Sequence, residues 1–311
     1  MKVSKTNEPL VGVVSFFAAM LARLIAMVAA VLCASTFIMA QEPEVPDGNE
    51  RDSLYIAEVE NVLGRPKLLH AEPLFIDLIR DLGARKGERE WNLGFGLTDN
   101  LGYDAYEMLV EYEFAPIDRL GFEVEVPVTL YAPQRNGKEN GSPADRVESL
   151  KLATQWTFLV AERAKTSLAL GYIHEFILPD IGSGSDRALI GNLFNPFFVA
   201  AKRWGDNFHT LLYTGPHMLL EHGATEPHMR FEVNSNFHYM ISGTRNFVGV
   251  EFNKSIDAGD FDMTIRPQMR VGIAENFLVG IVTGIPVERE NQRFSSFIRL
   301  IWEPGHRKTE H

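Results

Sequence analysis

"DRLGFEVEVPVTLY", residues 118–131, alternates without a break. Leu120, Phe122, Val124, Val126, Val128 and Leu130 fall on one face, and Gly121, Glu123, Glu125, Pro127 and Thr129 on the other. A period of two over this length is a strand with one apolar and one polar side. "YDAYEMLVEYEF" (103–114) repeats the pattern, with Tyr106, Met108, Val110, Tyr112 and Phe114 opposite Ala105, Glu107, Glu111 and Glu113. "RFEVNSNFHYMI" (230–241) and "FDMTIRPQMRVGI" (261–273) do so again, the second with Asp262, Thr264, Arg266, Gln268 and Arg270 on its polar face. Twelve such segments follow one another, at 90–98, 103–114, 119–131, 147–161, 166–178, 192–202, 207–221, 230–241, 246–256, 261–273, 277–288 and 293–302. Those at 192–202 and 207–221 alternate poorly.

The connections carry a second pattern. After even-numbered segments they are short: "APID" (115–118), "ERAK" (162–165), "RWGD" (203–206), "SGTR" (242–245) and "AEN" (274–276). After odd-numbered segments come the long polar ones, "APQRNGKENGSPADR" (132–146), "PDIGSGSDRALIG" (179–191) and "HGATEPHM" (222–229). An even strand count with tight turns at one end and longer loops at the other marks an outer-membrane barrel. A large β-sandwich also alternates, but it buries its apolar faces, whereas a barrel turns them to lipid.

Before these strands, residues 11–40 carry a single charge, Arg23, and the run "LIAMVAAVLCASTFIMA" (24–40) stops at the polar "QEPEVPDGNERD" (41–52). This is the pattern of a secretory signal at 1–40, cleaved after Ala40, with Met20 as an alternative start; an uncleaved anchor is the competing reading. Cys33, the single cysteine, lies inside it. An exported chain without disulfides needs another closure, and a hydrogen-bonded barrel supplies one. The balance of 41 Asp+Glu against 30 Lys+Arg, net −11, argues against a nucleic-acid binder.

The expectation is an all-β fold, a transmembrane antiparallel β-barrel of about 12 strands with a short N-terminal helix. The domains expected are a signal peptide (1–40), a periplasmic segment (41–89), the barrel (90–303) and a polar tail (304–311). Both termini are expected on the periplasmic side of an outer membrane. The last strand, "RFSSFIRLIW" (293–302), puts Phe294, Ile298, Leu300 and Trp302 outward, which suits outer-membrane lipid and the insertion machinery as partners.

The block "HAEPLFIDLIRDLGARKGEREWN" (70–92) resembles one found in a functionally uncharacterised group of exported barrel proteins. The resemblance covers about residues 68–97 and implies location and architecture, with no activity and no catalytic residues. Read by its residues, the block predicts a plug-like helix at about 73–82: Pro73 in the first turn, Gly83 as C-cap, and Leu74, Leu78 and Leu82 in one stripe. Its polar residues His70, Glu72, Asp77, Arg80 and Asp81 form the plug set, and "GARKGERE" (83–90) is expected to meet the acidic lumen.

With apolar faces outward, Glu107, Glu111, Glu113, Glu123 and Glu125 line one side of the lumen and Arg230, Arg266, Arg270 and Arg299 the other. Such opposed charges orient polar solutes; pairing as interior salt bridges is the alternative. His217, His222 and His228 with Glu221 and Glu226 lack the spacing of a zinc site and are expected as loop residues, so neither metal nor cofactor is expected. "NSNFH" (234–238) has the residue types of a barrel phospholipase in the wrong order, with Ser235 and His238 on opposite faces, so no enzyme is expected. "GSGSDR" (182–187) is a flexible loop rather than a phosphate loop. The function expected is passage of small polar solutes through a helix-gated lumen. A non-conducting barrel that binds an envelope partner is the alternative.

Overall fold

The computed structural model describes residues 48–60, 65–76, 78–133, 142–183 and 187–304, all within one compact unit, Gly48–His311. The signal segment with Cys33, Asp77 and the tail from 305 lie outside the described residues.

Thirteen strands form one antiparallel sheet: β1 (Arg89–Asn100), β2 (Tyr103–Ile117), β3 (Leu120–Pro133), β4 (Arg146–Val147), β5 (Ser149–Ala161), β6 (Thr166–Ile177), β7 (Gly191–Trp204), β8 (Phe208–Glu221), β9 (His228–Met240), β10 (Phe247–Asp257), β11 (Asp260–Ala274), β12 (Phe277–Pro286) and β13 (Gln292–Trp302). Each pairs with its neighbour, and β1 closes on β13 with Trp91 opposite Trp302. The two-residue β4 pairs with β3 just ahead of β5, so twelve staves make the closed wall. Closure leaves no strand edge unpaired, which is what a membrane demands of a sheet.

The faces divide as their chemistry dictates. Trp91, Leu93, Phe95 and Leu97 on β1 stay exposed, as do Val110, Val124, Leu152, Ile281 and Ile298 on other staves. Their inward neighbours Asn92, Glu111, Glu123, Lys151 and Arg299 are buried. A sheet that hides its charges and exposes its Leu, Ile and Phe is built for lipid outside. The sandwich is excluded.

The turns at 118–119, 205–207 and 275–276 share one rim with the start of β1 and the end of β13, and the ends of β3 and β6 share the other with the starts of β5 and β7. At the short-turn rim the outward aromatics form a belt, including Trp91 against Tyr112 at 4.6 Å and Phe114 stacked on Phe122 at 5.8 Å.

The one α-helix among the described residues is α1 (Gly48–Glu60). Asp52 docks it on the short-turn rim by accepting from Asn207, Ser242 and the Gly243 amide. Tyr55, Ile56 and Val59 pack toward the lumen.

The helix expected at 73–82 is absent: the described residues there are bends and irregular backbone. Arg80 sits at φ 66, in the left-handed region where a right-handed helix cannot continue. The leucine stripe divides, Leu74 packing with Met240, Phe247 and Leu278, and Leu78 and Leu82 with Ala153, Ala169 and Val199. A ten-residue helix is marginal by itself. Here the barrel wall satisfies the backbone in its place.

Candidate functional site

Residues 66–88 form a re-entrant loop that leaves the short-turn rim, rises into the lumen and returns to β1. Its neck is tied by Lys67, whose ammonium lies 2.6 Å from Asp81 and 2.8 Å from Glu88. Burial alone would lower the Lys67 pKa, but these two carboxylates raise it above its ordinary value. Further pegs join the returning limb to the β2–β3 turn, from Arg119 N to Ala84 O at 2.6 Å and from Gly87 N to Ala115 O at 2.8 Å.

The tip is held by a single carboxylate. Glu251, fully buried on β10, accepts from the amides of Leu74 (2.8 Å), Phe75 (3.1 Å) and Ile76 (3.0 Å). Three successive N–H groups around an anion are a nest, and charge-assisted bonds of this kind are the strong class. Gln268 on β11 also accepts from Leu74 N at 3.0 Å and donates to Glu251 at 2.6 Å.

Two histidines grip Ala71. Its N–H donates to Nδ1 of His209 (3.1 Å), and its carbonyl accepts from Nδ1 of His238 (3.3 Å). His209 therefore carries its proton on Nε2 and His238 on Nδ1. Next door, His70 Nε2 lies 2.9 Å from the Ser167 hydroxyl. Burial first, then the nearby Arg203 guanidinium, pull the His70 pKa down to about 3. Arg203 itself reaches Glu60 of α1 at 2.6 Å, linking helix, loop and wall.

On the returning limb Arg80 is held by both main chain and side chain. Its N–H donates to Glu113 (2.7 Å), its carbonyl accepts from Gln155 (3.0 Å), and its guanidinium lies 2.6 Å from Glu90 and 3.6 Å from Glu113. Gly83 N–H donates to Thr157 Oγ1 at 2.9 Å.

The expected lumen charges divide by height. Glu111 lies 3.5 Å from Arg299 of the expected basic set, whose β13 adjoins β1, Glu123 and Glu125 lie 3.0 and 2.8 Å from Lys151, and the loop's Arg80 lies 3.6 Å from Glu113. Glu107 holds the same register but is exposed, near Thr98 at 3.3 Å. Arg270 meets Glu72 of the loop at 3.6 Å, and Arg266 lies over the Phe75 ring, 3.4 Å from its centroid. Arg230, half-exposed, pairs with Glu232 at 3.0 Å. The opposed acidic and basic walls are thus replaced by local pairs. "GARKGERE" meets α1 and the rim instead of the lumen, through Arg85 to Val59 O at 2.9 Å and Lys86 N to Asp118 at 2.9 Å; its Glu90 alone joins the acidic group.

Glu111, Glu113 and Glu123 bring carboxylate oxygens within 4.8 Å of one another, the one such group of metal-ligating side chains among the described residues. Arg299, Arg80 and Lys151 supply its counter-charge. The loop histidines do not converge: His217 pairs with Glu232 at 3.2 Å and His228 with Asp257 at 3.0 Å. Ser235 bonds Lys254, while His238 is buried in the lumen.

Sequence reasoning passed over Glu251, Lys67 and Arg203, and gave Gln268, His209 and His238 no part in holding the loop. The available signal was a lone acid, Glu251, among small and apolar neighbours in "VGVEFN" (248–253).

Counting contacts by stave, the loop touches Glu90, Glu113 and Gly121 on β1 to β3, and Thr157, Ser167 and Arg203 on β5 to β7. It goes on to His209, His238 and Glu251 on β8 to β10, and Gln268, Gly280 and Phe297 on β11 to β13. Every stave is engaged. Between the loop and the charged wall remains a void of 30 Å³, room for a water or two.

Among solved structures the chain is similar to the COG4313 outer membrane channel from Pseudomonas putida F1, at 11% identity and a TM-score of 0.56, over 72% of this chain and 98% of that one. It is also similar to the KdgM porin (11%, TM-score 0.46, 71% and 99%) and to the CymD monoaromatic hydrocarbon channel (8%, TM-score 0.42, 73% and 90%). The first likeness shows a shared outer-membrane barrel fold. No curated protein matches the chain. A family model described as HAEPLYID-like matches residues 66–303, from the foot of the loop to the end of β13. Its eight letters recur at 70–77, with Phe75 where the name has tyrosine, so the block at the centre of the lumen is also the block the family is called by. The chain belongs to the HAEPLYID-like family.

Proposed function

We propose that this barrel is an outer-membrane channel for small polar solutes, closed at its periplasmic, short-turn side by the loop 66–88 and opened when that loop yields. The observation that carries the reading is the loop's contact with all twelve staves. Eight staves are filled by their own side chains, but twelve enclose more space than side chains fill, so without the loop the lumen is wide enough for water. The wall behind it is polar, with Glu111, Glu125, Lys151, Gln268 and Arg299 in place, so a displaced loop leaves a surface that wets. The gate is irregular chain rather than a helix, with α1 latching it at the rim.

The test is conductance in planar bilayers. Glu251→Ala leaves the Phe75 and Ile76 amides buried without an acceptor, a loss of about 3 kcal/mol, or roughly a hundredfold in the ratio of open to closed barrels. The variant is expected to conduct where the unaltered chain is mostly silent, and Arg270→Glu in that background is expected to shift selectivity toward cations. A barrel that stays sealed after Glu251→Ala while still migrating as a folded barrel supports the non-conducting reading instead.

A further inference from the structure

Beyond the loop tip, on the long-loop side, lies a cavity of 220 Å³. Phe75 and Ile76 form its floor, and inward residues of β6 to β11 form its walls. That volume is below the range of drug-sized pockets and suits one small solute.

At the wall Glu232 takes Arg230 at 3.0 Å and His217 at 3.2 Å, and Glu175 accepts from the Ser149 hydroxyl at 2.8 Å. Neutral groups at the wall keep polar capacity of their own. Asn195 is fully buried, its Oδ1 accepts from the Tyr213 hydroxyl at 3.2 Å, and its Nδ2 donor has no partner among the described residues. The Asn253 Oδ1 acceptor has none either. The Phe75 ring, 37% exposed, adds an aromatic surface. An unpaired donor, an unpaired acceptor and a ring face describe a ligand whose hydroxyls both give and take hydrogen bonds and whose C–H face packs on an aromatic ring. Three carboxylates, Glu175, Glu232 and Asp262, outnumber the two cations of the lining, Arg230 and Lys254, which disfavours anions.

We propose that this cavity binds one neutral polyhydroxylated solute of the size of a single sugar ring. The site deepens the channel reading and rests on it for its meaning: a solute seated here lies directly on the gate. Phe75, whose amide is held by Glu251, is at once the floor of the site and part of the latch.

The experiment is calorimetric titration of the detergent-solubilised full chain with D-glucose, D-glucuronate and D-glucosamine, repeated on Asn195→Leu and Asn253→Leu. Heat-modifiable gel migration verifies that each variant is folded. Saturable glucose binding is expected, weakened about tenfold or more by each substitution, with glucuronate weaker than glucose. Absence of saturable binding, tighter binding of either charged sugar, or indifference to both substitutions overturns the proposal. Binding does not require conduction. A protein that conducts without binding glucose refutes the site alone, and one that binds but never conducts refutes the channel.

Discussion

Gly121 shows how much one residue decides here. A Cβ at this position meets the carbonyl of Ile79 and the Arg80 side chain, so the returning limb lies against the β3 backbone only because no side chain intervenes. Gly121→Ala is expected to push the limb off by overpacking at a cost of about 1–3 kcal/mol. β3 keeps its ladder, so the variant should fold and leak: more frequent openings in bilayers, with an unchanged gel shift. His70 acts by charge instead. Seated, its pKa is about 3; released into water it returns to the ordinary value near 6.5. The seated loop therefore binds fewer protons between these limits. Its seating energy is complete above about pH 6.5 and declines as the pH falls, by about 2 kcal/mol at pH 5. Conductance is expected to rise as pH is lowered from 7 to 5. His70→Gln, which keeps a polar contact for Ser167 but has no proton to gain, should lessen that rise, the remainder belonging to His209 and His238 at Ala71; an equal rise in the variant sinks the assignment.

At the level of elements, α1 and the loop are secured separately. The helix is fixed to two turns by Asp52 and to the wall by Glu60, whereas the loop is fixed to strands by Glu251, Arg80 and the histidine pair. Asp52→Ala removes the acceptor of three hydrogen bonds and is expected to speed hydrogen exchange in 48–60 by roughly tenfold or more, leaving exchange at 66–84 nearly unchanged. Equal acceleration of both segments would mean that helix and loop move as one body. The same division explains what the sequence shows. Strands such as 118–131 are legible because a wall between lipid and polar lumen imposes a period of two on every residue. Segments 192–202 and 207–221 alternate poorly for a reason now visible: Phe197, Val199, Ala201 and Leu211 face inward and pack on Ile76, Leu78, Ile79 and Leu82, so the inward face of β7 and β8 is apolar where the loop lies against it. The loop itself was illegible as a shape, since its leucines keep helical spacing while its backbone is set by acceptors 33 to 194 residues away, from Glu113 to Gln268. The plug residues His70, Glu72, Arg80 and Asp81 could be singled out by composition, but their partners Ser167, Arg270, Glu90 and Lys67 become neighbours only on closure.

For the whole molecule, the question is whether the barrel stands without its filling. Closure is supplied by main-chain pairing from β1 round to β13, which the loop joins only at its foot, where Gly87 and Glu88 bond Ala115 of β2, and the apolar exterior is complete without it. The loop nevertheless supplies one side of both interior apolar clusters, Leu69, Ala71 and Leu74 to one and Ile76, Leu78, Ile79 and Leu82 to the other. Its removal exposes the inward Phe197, Val199 and Leu211 to water and strands Glu113 and Glu90 without Arg80, a loss of burial and pairing with no effect on the ladder. A chain lacking 66–84, with α1 rejoined to β1 by a flexible linker, is therefore expected to assemble and to keep the faster gel migration of an unheated barrel. The temperature at which that migration is lost should fall by at least several degrees relative to the full chain, since a few kcal/mol spread over a wall of this size shifts the midpoint by that order. The same protein should be permanently open. Failure to form any heat-modifiable species would show that the loop nucleates the barrel rather than stoppers it, whereas an unaltered midpoint would mean that its buried contacts add nothing to the wall they touch.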